Sequence, residues 1–181
     1  MKRLMGIFKW NTNKGAIASN KILIGAPDGP CFRNIATQLE HPVEWDSIIL
    51  HIWPVSSMRI QAGATSYAFV NFLGKKFHAL ATVSDYKPKH TVNWALSGDY
   101  EMRIYWQLEP KGAGTLVNIT LAWQSHNWLG DFSLCRTLQR KRVERLLWRM
   151  LVRLKKTVEK EEAAQIAEKM VAPYFVEGKL S

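Results

Sequence analysis

At 181 residues, with 47% hydrophobic residues and a formal net charge of +10, the chain has the size and composition of one globular domain with a buried core. Its two cysteines, Cys31 and Cys135, are too few for a disulfide scaffold and read as reduced thiols in a cytosolic protein. No run of 18 apolar residues is present to span a membrane, and the opening "MKRLMGIFKW" lacks the cleavage site of a signal peptide.

The elements follow from the period of the apolar residues. Residues 16–25, "AIASNKILIG", read as a strand. In "APDGPCFRNIATQLEHPVEW" the period changes. Pro27 and Asp28 suit a helix start, Phe32, Ile35, Ala36 and Leu39 share one helical face, and Pro42 ends the helix. A second short helix is expected around Val43–Trp45. From Ser47 the period is two, and strands are expected in "SIILHIWPV", "TSYAFVNFL", "KFHALATVSDY", "HTVNWALSG", "DYEMRIYWQLEP" and "TLVNITLAWQS". Met102, Ile104, Trp106 and Leu108 oppose Glu101, Arg103, Tyr105 and Gln107. Val117, Ile119, Leu121 and Trp123 likewise oppose Asn118 and Thr120. One-sided antiparallel strands require this alternation, and the short connections imply hairpins in a meander.

A long helix is expected from about Phe132 to Lys160. At 100° per residue, Val143, Leu147, Met150, Leu151, Leu154 and Val158 cluster on one side. Arg142, Arg145, Arg149, Arg153, Lys156 and Lys160 form a separate stripe. The charge is concentrated here: residues 140–160 carry nine Lys or Arg against two Glu, and residues 1–14 add four more basic side chains.

The order of one strand, short helices, a run of antiparallel strands and a long C-terminal helix resembles the helix-grip fold of the START-like (SRPBCC) superfamily. That group includes polyketide cyclases/dehydrases and lipid-transport domains. The matching stretches are "ILIGAPDGPCFRNIA", "HPVEW", "FHALATVSDYKPKHTVNW" and "WQLEPKGAGTLVNITLAW". The resemblance covers roughly residues 16–160, leaving 1–15 as an N-terminal extension and 161–181 as a C-terminal helical extension. It implies an α+β fold in which a curved sheet of about seven strands wraps the long helix, with a cavity for a hydrophobic small molecule between them.

In that frame Phe69, Phe77, Trp94, Met102, Trp106 and Trp123 are expected to point inward and, with Leu147, Met150 and Leu154, to line the cavity. The loop 55–64 and the segment 126–131 would gate it. No zinc, P-loop or G-x-S-x-G signature is present, so neither a metal, a cofactor nor a catalytic residue is expected. His51, His78, Tyr67, Asp85 and Arg103 are the polar candidates a cyclase would need inside, and alternation sends His78 and Arg103 outward. Cys31, near a helix start, is either a thiol of lowered pKa or a small buried filler.

Three functions fit, in this order: a carrier or sensor of a lipid or polyketide, a cyclase/aromatase-type enzyme using the same cavity, and an interaction protein working through Arg142, Arg145, Arg149, Arg153 and Lys156. The expected partner is the hydrophobic ligand; the basic stripe reads first as the solvated outer face of a helix packed inward, and next as a contact for an anionic membrane surface reached from the cytoplasm. Nucleic acid ranks below both, because no recognition module accompanies the charge.

Overall fold

The computed structural model describes residues 15–37, 43–55, 60–125 and 133–171. Seven strands form one antiparallel sheet: β1 (Gly15–Ile24), β2 (Ile49–Pro54), β3 (Thr65–Phe72), β4 (Lys75–Lys87), β5 (Thr91–Ser97), β6 (Tyr100–Lys111) and β7 (Gly114–Ser125). Their spatial order is β1-β7-β6-β5-β4-β3-β2. Hairpins join β2 through β7, and β1 closes against β7. A short helix, α1 (Asp28–Thr37), follows β1, and a long helix, α2 (Ser133–Val171), ends the described chain. This is the α+β helix grip that the sequence resemblance implies. The second short helix expected near Val43 is a turn, closed by the Asp46 N–H donating to the Val43 carbonyl at 3.2 Å. Segments 56–59 and 126–132, which belong to the two expected gating loops, lie outside the described residues.

Local chemistry sets the hairpins. The β3–β4 connection places Leu73 and Gly74 at φ 53° and 86°, the paired left-handed conformation whose twist matches that of the flanking strands. In β6 and β7 the alternation resolves as the pattern requires. Met102, Ile104, Trp106, Val117, Ile119, Leu121 and Trp123 are buried, and Arg103, Tyr105, Asn118 and Thr120 take the other face.

The sheet is strongly curled. β3 and β7 have three strands between them, about 19 Å in a flat sheet at the usual spacing. Yet the rings of Phe72 and Trp123 lie 5.6 Å apart in an edge-to-face contact. Trp45, just before β2, meets Trp106 of β6 edge-on at 5.7 Å. Inward side chains therefore touch across the concavity.

α2 lies in that concavity. It runs 39 residues, about 58 Å at 1.5 Å per residue, and continues through position 160 without a break. Val143, Leu147, Met150, Leu151, Leu154 and Val158 are all fully buried. Polar bonds fix the register of the helix on β1. Asn20 Nδ2 donates to the Glu144 carbonyl at 2.7 Å, Lys155 Nζ donates to the Leu23 carbonyl at 2.8 Å, and the Gly25 N–H donates to Glu159 Oε1 at 2.8 Å. That last bond, with Lys155 alongside, holds the Glu159 carboxyl below its ordinary pKa. Asn34 of α1 donates to Glu161 Oε2 at 2.8 Å, tying the two helices together.

Leu147→Ala opens a cavity where the helix meets the sheet and should cost about 2–5 kcal/mol. Leu138→Ala, on the exposed side of the same helix, should change stability by less than about 0.5 kcal/mol. Urea unfolding of the two variants measures the difference.

Candidate functional site

The space between sheet and α2 holds most of the residues expected there. Phe77, Trp94, Met102, Trp106, Trp123, Leu147, Met150 and Leu154 are buried in one continuous cluster. Phe69 is the exception and corrects the expectation. Val70 pairs with Phe77 and Phe69 with His78, so Phe69 shares the outer face with His78, its ring 5.0 Å away. The reason is the composition of β3. Tyr67 and Phe69 on one side and Ala68, Val70 and Phe72 on the other are both largely apolar sets, and Asn71, beside Phe69 on the outer row, is the one strong sign of which side faces out. The crowded concave face takes the smaller Ala68 and Val70 and, at the strand end, Phe72.

Trp45, Asp46 and Phe72 are interior residues that the sequence reading did not place in the site. Trp45 stands in the "HPVEW" stretch, which marked the fold but carried no periodicity to orient the ring. Trp45, Trp94 and Trp106 are each buried, and none of their indole N–H groups has a hydrogen-bond partner among the described residues. The three rings are neighbours. Trp45 and Trp106 are in contact, and Val92 pairs with Trp106 while Trp94 pairs with Ile104, which makes Trp94 and Trp106 diagonal neighbours on the inner face.

Asp46 adjoins them. Its Oδ1 accepts from the Ile48 N–H at 2.6 Å and the Ile49 N–H at 3.3 Å, and its Oδ2 has no partner among the described residues. Burial pushes its pKa from the usual 3.8 up to about 7, against the pull of those N–H donors. An interior with three free donors and one carboxyl that keeps its proton up to near-neutral pH can bind the polar end of an otherwise apolar molecule.

The polar candidates for catalysis lie elsewhere. His51, Tyr67 and His78 are exposed on the outer face, where Trp53 stacks on His51 at 5.8 Å. Arg103 is half-buried on that face and Asp85 is half-buried near the end of β4. Cys31 is buried, and burial raises its thiol to about 11 despite a hydrogen bond with Thr115. The lowered-pKa reading of Cys31 is therefore corrected: this thiol is a packed, unreactive side chain.

Arg142, Arg145, Arg149, Arg153 and Lys156 are exposed on α2, with Arg153 donating to Ser47 Oγ at 3.1 Å. A groove of about 380 Å³ runs beside them between α2 and β1, lined by Asn20, Lys141, Glu144, Arg145, Trp148 and Arg149. A second concavity, about 450 Å³, opens at the far end of β5, β6 and β7 among Lys21, His90, Thr91, Gln107, Leu108, Glu109, Leu116 and Asn118. Neither is lined by the aromatic interior. Among the described residues no helix is long and apolar enough to cross a membrane.

Solved structures repeat this architecture. The chain is similar to a protein from Thermus thermophilus, with TM-score 0.65 and 22% identity over 78% of this chain and 96% of that one. It is also similar to a START superfamily protein from Mycobacterium smegmatis, with TM-score 0.62 and 16% identity over 78% and 98%. The fold is START-like. An aromatase/cyclase, Zhui from Streptomyces sp. R1128, shares this START-like architecture at TM-score 0.60 and 13% identity, over 84% of this chain and 96% of that one. Identities this low speak for the fold alone. No protein-family model and no curated protein matches the chain.

Asp46 gives the START-like interior a pH signature. The folded carboxyl keeps its proton to about pH 7, whereas the unfolded one releases it near 3.8. The folded state thus binds more protons between those values, and stability falls as pH rises through that window. Asp46→Asn keeps the acceptor for Ile48 and removes the ionisation. Urea unfolding at about pH 5 and about pH 8 should show the wild-type protein weakening and the variant flat. At the higher pH the variant should be more stable by as much as roughly 4 kcal/mol.

Proposed function

We propose that the protein is a noncatalytic carrier or sensor that binds a hydrophobic small molecule, of lipid or polyketide type, between the sheet and α2. The observation that carries this reading is the set of indole N–H groups of Trp45, Trp94 and Trp106, buried and without a partner among the described residues. Buried donors are nearly always satisfied in native proteins, and each one left free costs about 1–3 kcal/mol. A ligand oxygen that accepts from one or two of these N–H groups recovers that cost for each, and the surrounding Leu147, Met150 and Leu154 take the apolar remainder.

Burial drives the binding. A ligand removing about 300 Å² of apolar surface from water gains roughly 7 kcal/mol gross at 25 cal/mol per Å², less the costs of ordering. Phe72 meets Trp123 across the concavity, so the space opens as the ligand enters, by local separation of α2 from the strands. The protein works in the cytoplasm in this reading. An enzymatic role has less support, because His51, His78 and Tyr67 stand on the outer face and cannot reach a molecule held inside.

Native mass spectrometry of gently purified protein should show a reproducible bound mass. A long-chain alcohol or ketone should bind with a change in tryptophan fluorescence. Trp106→Phe should weaken that binding by about 3–10-fold, the worth of one hydrogen bond, and leave the parent hydrocarbon unaffected. A clean unliganded mass together with no response to either probe would sink the carrier reading.

A further inference from the structure

The outward side of α2 combines charge with exposed apolar surface. Residues 136–156 contain nine Lys or Arg and one acidic residue, Glu144. Glu144 is engaged by Arg140 at 2.9 Å, and none of the ion pairs found among the described residues takes Arg142, Arg145 or Arg149. At 100° per residue, Arg142, Arg145, Arg149, Arg153 and Lys156 occupy an arc of about 80° on the side turned away from the buried leucines. Leu138 falls within that arc and is 64% exposed, and Trp148 stands beside it, 47% exposed. The groove between α2 and β1 lies under Trp148, with Lys141, Arg145 and Arg149 along its rim.

We infer that this face docks on an anionic lipid bilayer, α2 lying along the surface. Each feature has a place there. Guanidinium groups pair with lipid phosphates in two-point hydrogen bonds. A Trp and a Leu beside them enter the boundary between headgroups and acyl chains, as in interfacial helices. The groove offers one phosphate a cup with cations at its rim and the Trp148 ring at its wall, and Arg140 offsets the carboxylate of Glu144. A nucleic-acid strand would meet the same cations, but it gives Leu138 no role. Tracking a single strand also uses a series of stacking rings, and Trp148 is the one aromatic residue between positions 133 and 171. The inference concerns the outside of the helix and stands whether or not the interior holds a ligand.

The test is co-sedimentation of the full chain with phosphatidylcholine vesicles containing about 30% phosphatidylserine, beside pure phosphatidylcholine vesicles and a uridine oligonucleotide read by fluorescence anisotropy. Binding to the anionic vesicles alone is expected, weakening as salt rises. Arg145→Ala with Arg149→Ala should reduce it about 30-fold, at roughly fivefold per charge. Trp148→Ala should reduce it less and leave the salt dependence unchanged. Circular dichroism melts of these exposed variants should match the wild-type melt. Absence of vesicle binding, equal binding to neutral vesicles, undiminished binding by the double variant, or tighter binding to the oligonucleotide would each overturn the inference.

Discussion

The structure depends on inward side chains meeting across a curled sheet. A flat seven-stranded sheet would leave Phe72 and Trp123 far apart, but their rings are in contact. Curling brings the two ends of the sheet toward each other and makes a trough. A trough lined with Trp94, Trp106, Ile104 and Leu121 cannot stay open to water, and the apolar flank of α2 closes it. The bonds from Asn20, Leu23 and Gly25 to the helix then select one register. Burial supplies the drive, and these polar contacts choose among the ways of satisfying it.

Much of this is legible in the sequence because each element presents one apolar face. β6 and β7 alternate large apolar with polar residues, so each has one possible inside. From Val143 to Val158 the buried apolar residues of α2 repeat at helical spacing, and the arginines of that stretch do not overlap them. β3 is harder to read, since in "YAFVNF" the outer row of Tyr67, Phe69 and Asn71 carries only one strongly polar residue. There the structure turns Ala68, Val70 and Phe72 inward and Phe69 outward. Which of two largely apolar rows is buried is settled by the assembled core, and a single strand encodes it only weakly. The same limit applies to Trp45 and Asp46. They sit in a turn, where no period exists, and their burial follows from how the turn lies against β6.

The interior is chemically mixed in a way composition does not reveal. Tryptophan brings a large apolar area and one obligatory donor. Three such donors packed among aliphatic side chains, with a carboxyl that keeps its proton to about pH 7, make a core that is apolar by area and polar at one corner. Purely structural packing would favour Phe or Leu at those positions, which fill the space without a donor to satisfy. Among the described residues nothing accepts the protons of these three indoles, which sets this interior apart from a purely aliphatic one.

α2 divides two environments along its length. Its buried flank carries no charge, and Glu144 is the one acidic residue in the stretch 133–158. Arginine suits such a boundary better than lysine, because its planar group is weakly hydrated and its stem covers apolar surface. Five of the six residues in the stripe from Arg142 to Lys160 lie within two turns or so of the exposed Trp148, and the groove at its foot opens toward β1. The helix that closes the interior is therefore also the element that meets whatever lies outside. Any displacement of α2 by a surface it touches acts directly on the contacts of Leu147, Met150 and Leu154 with the sheet.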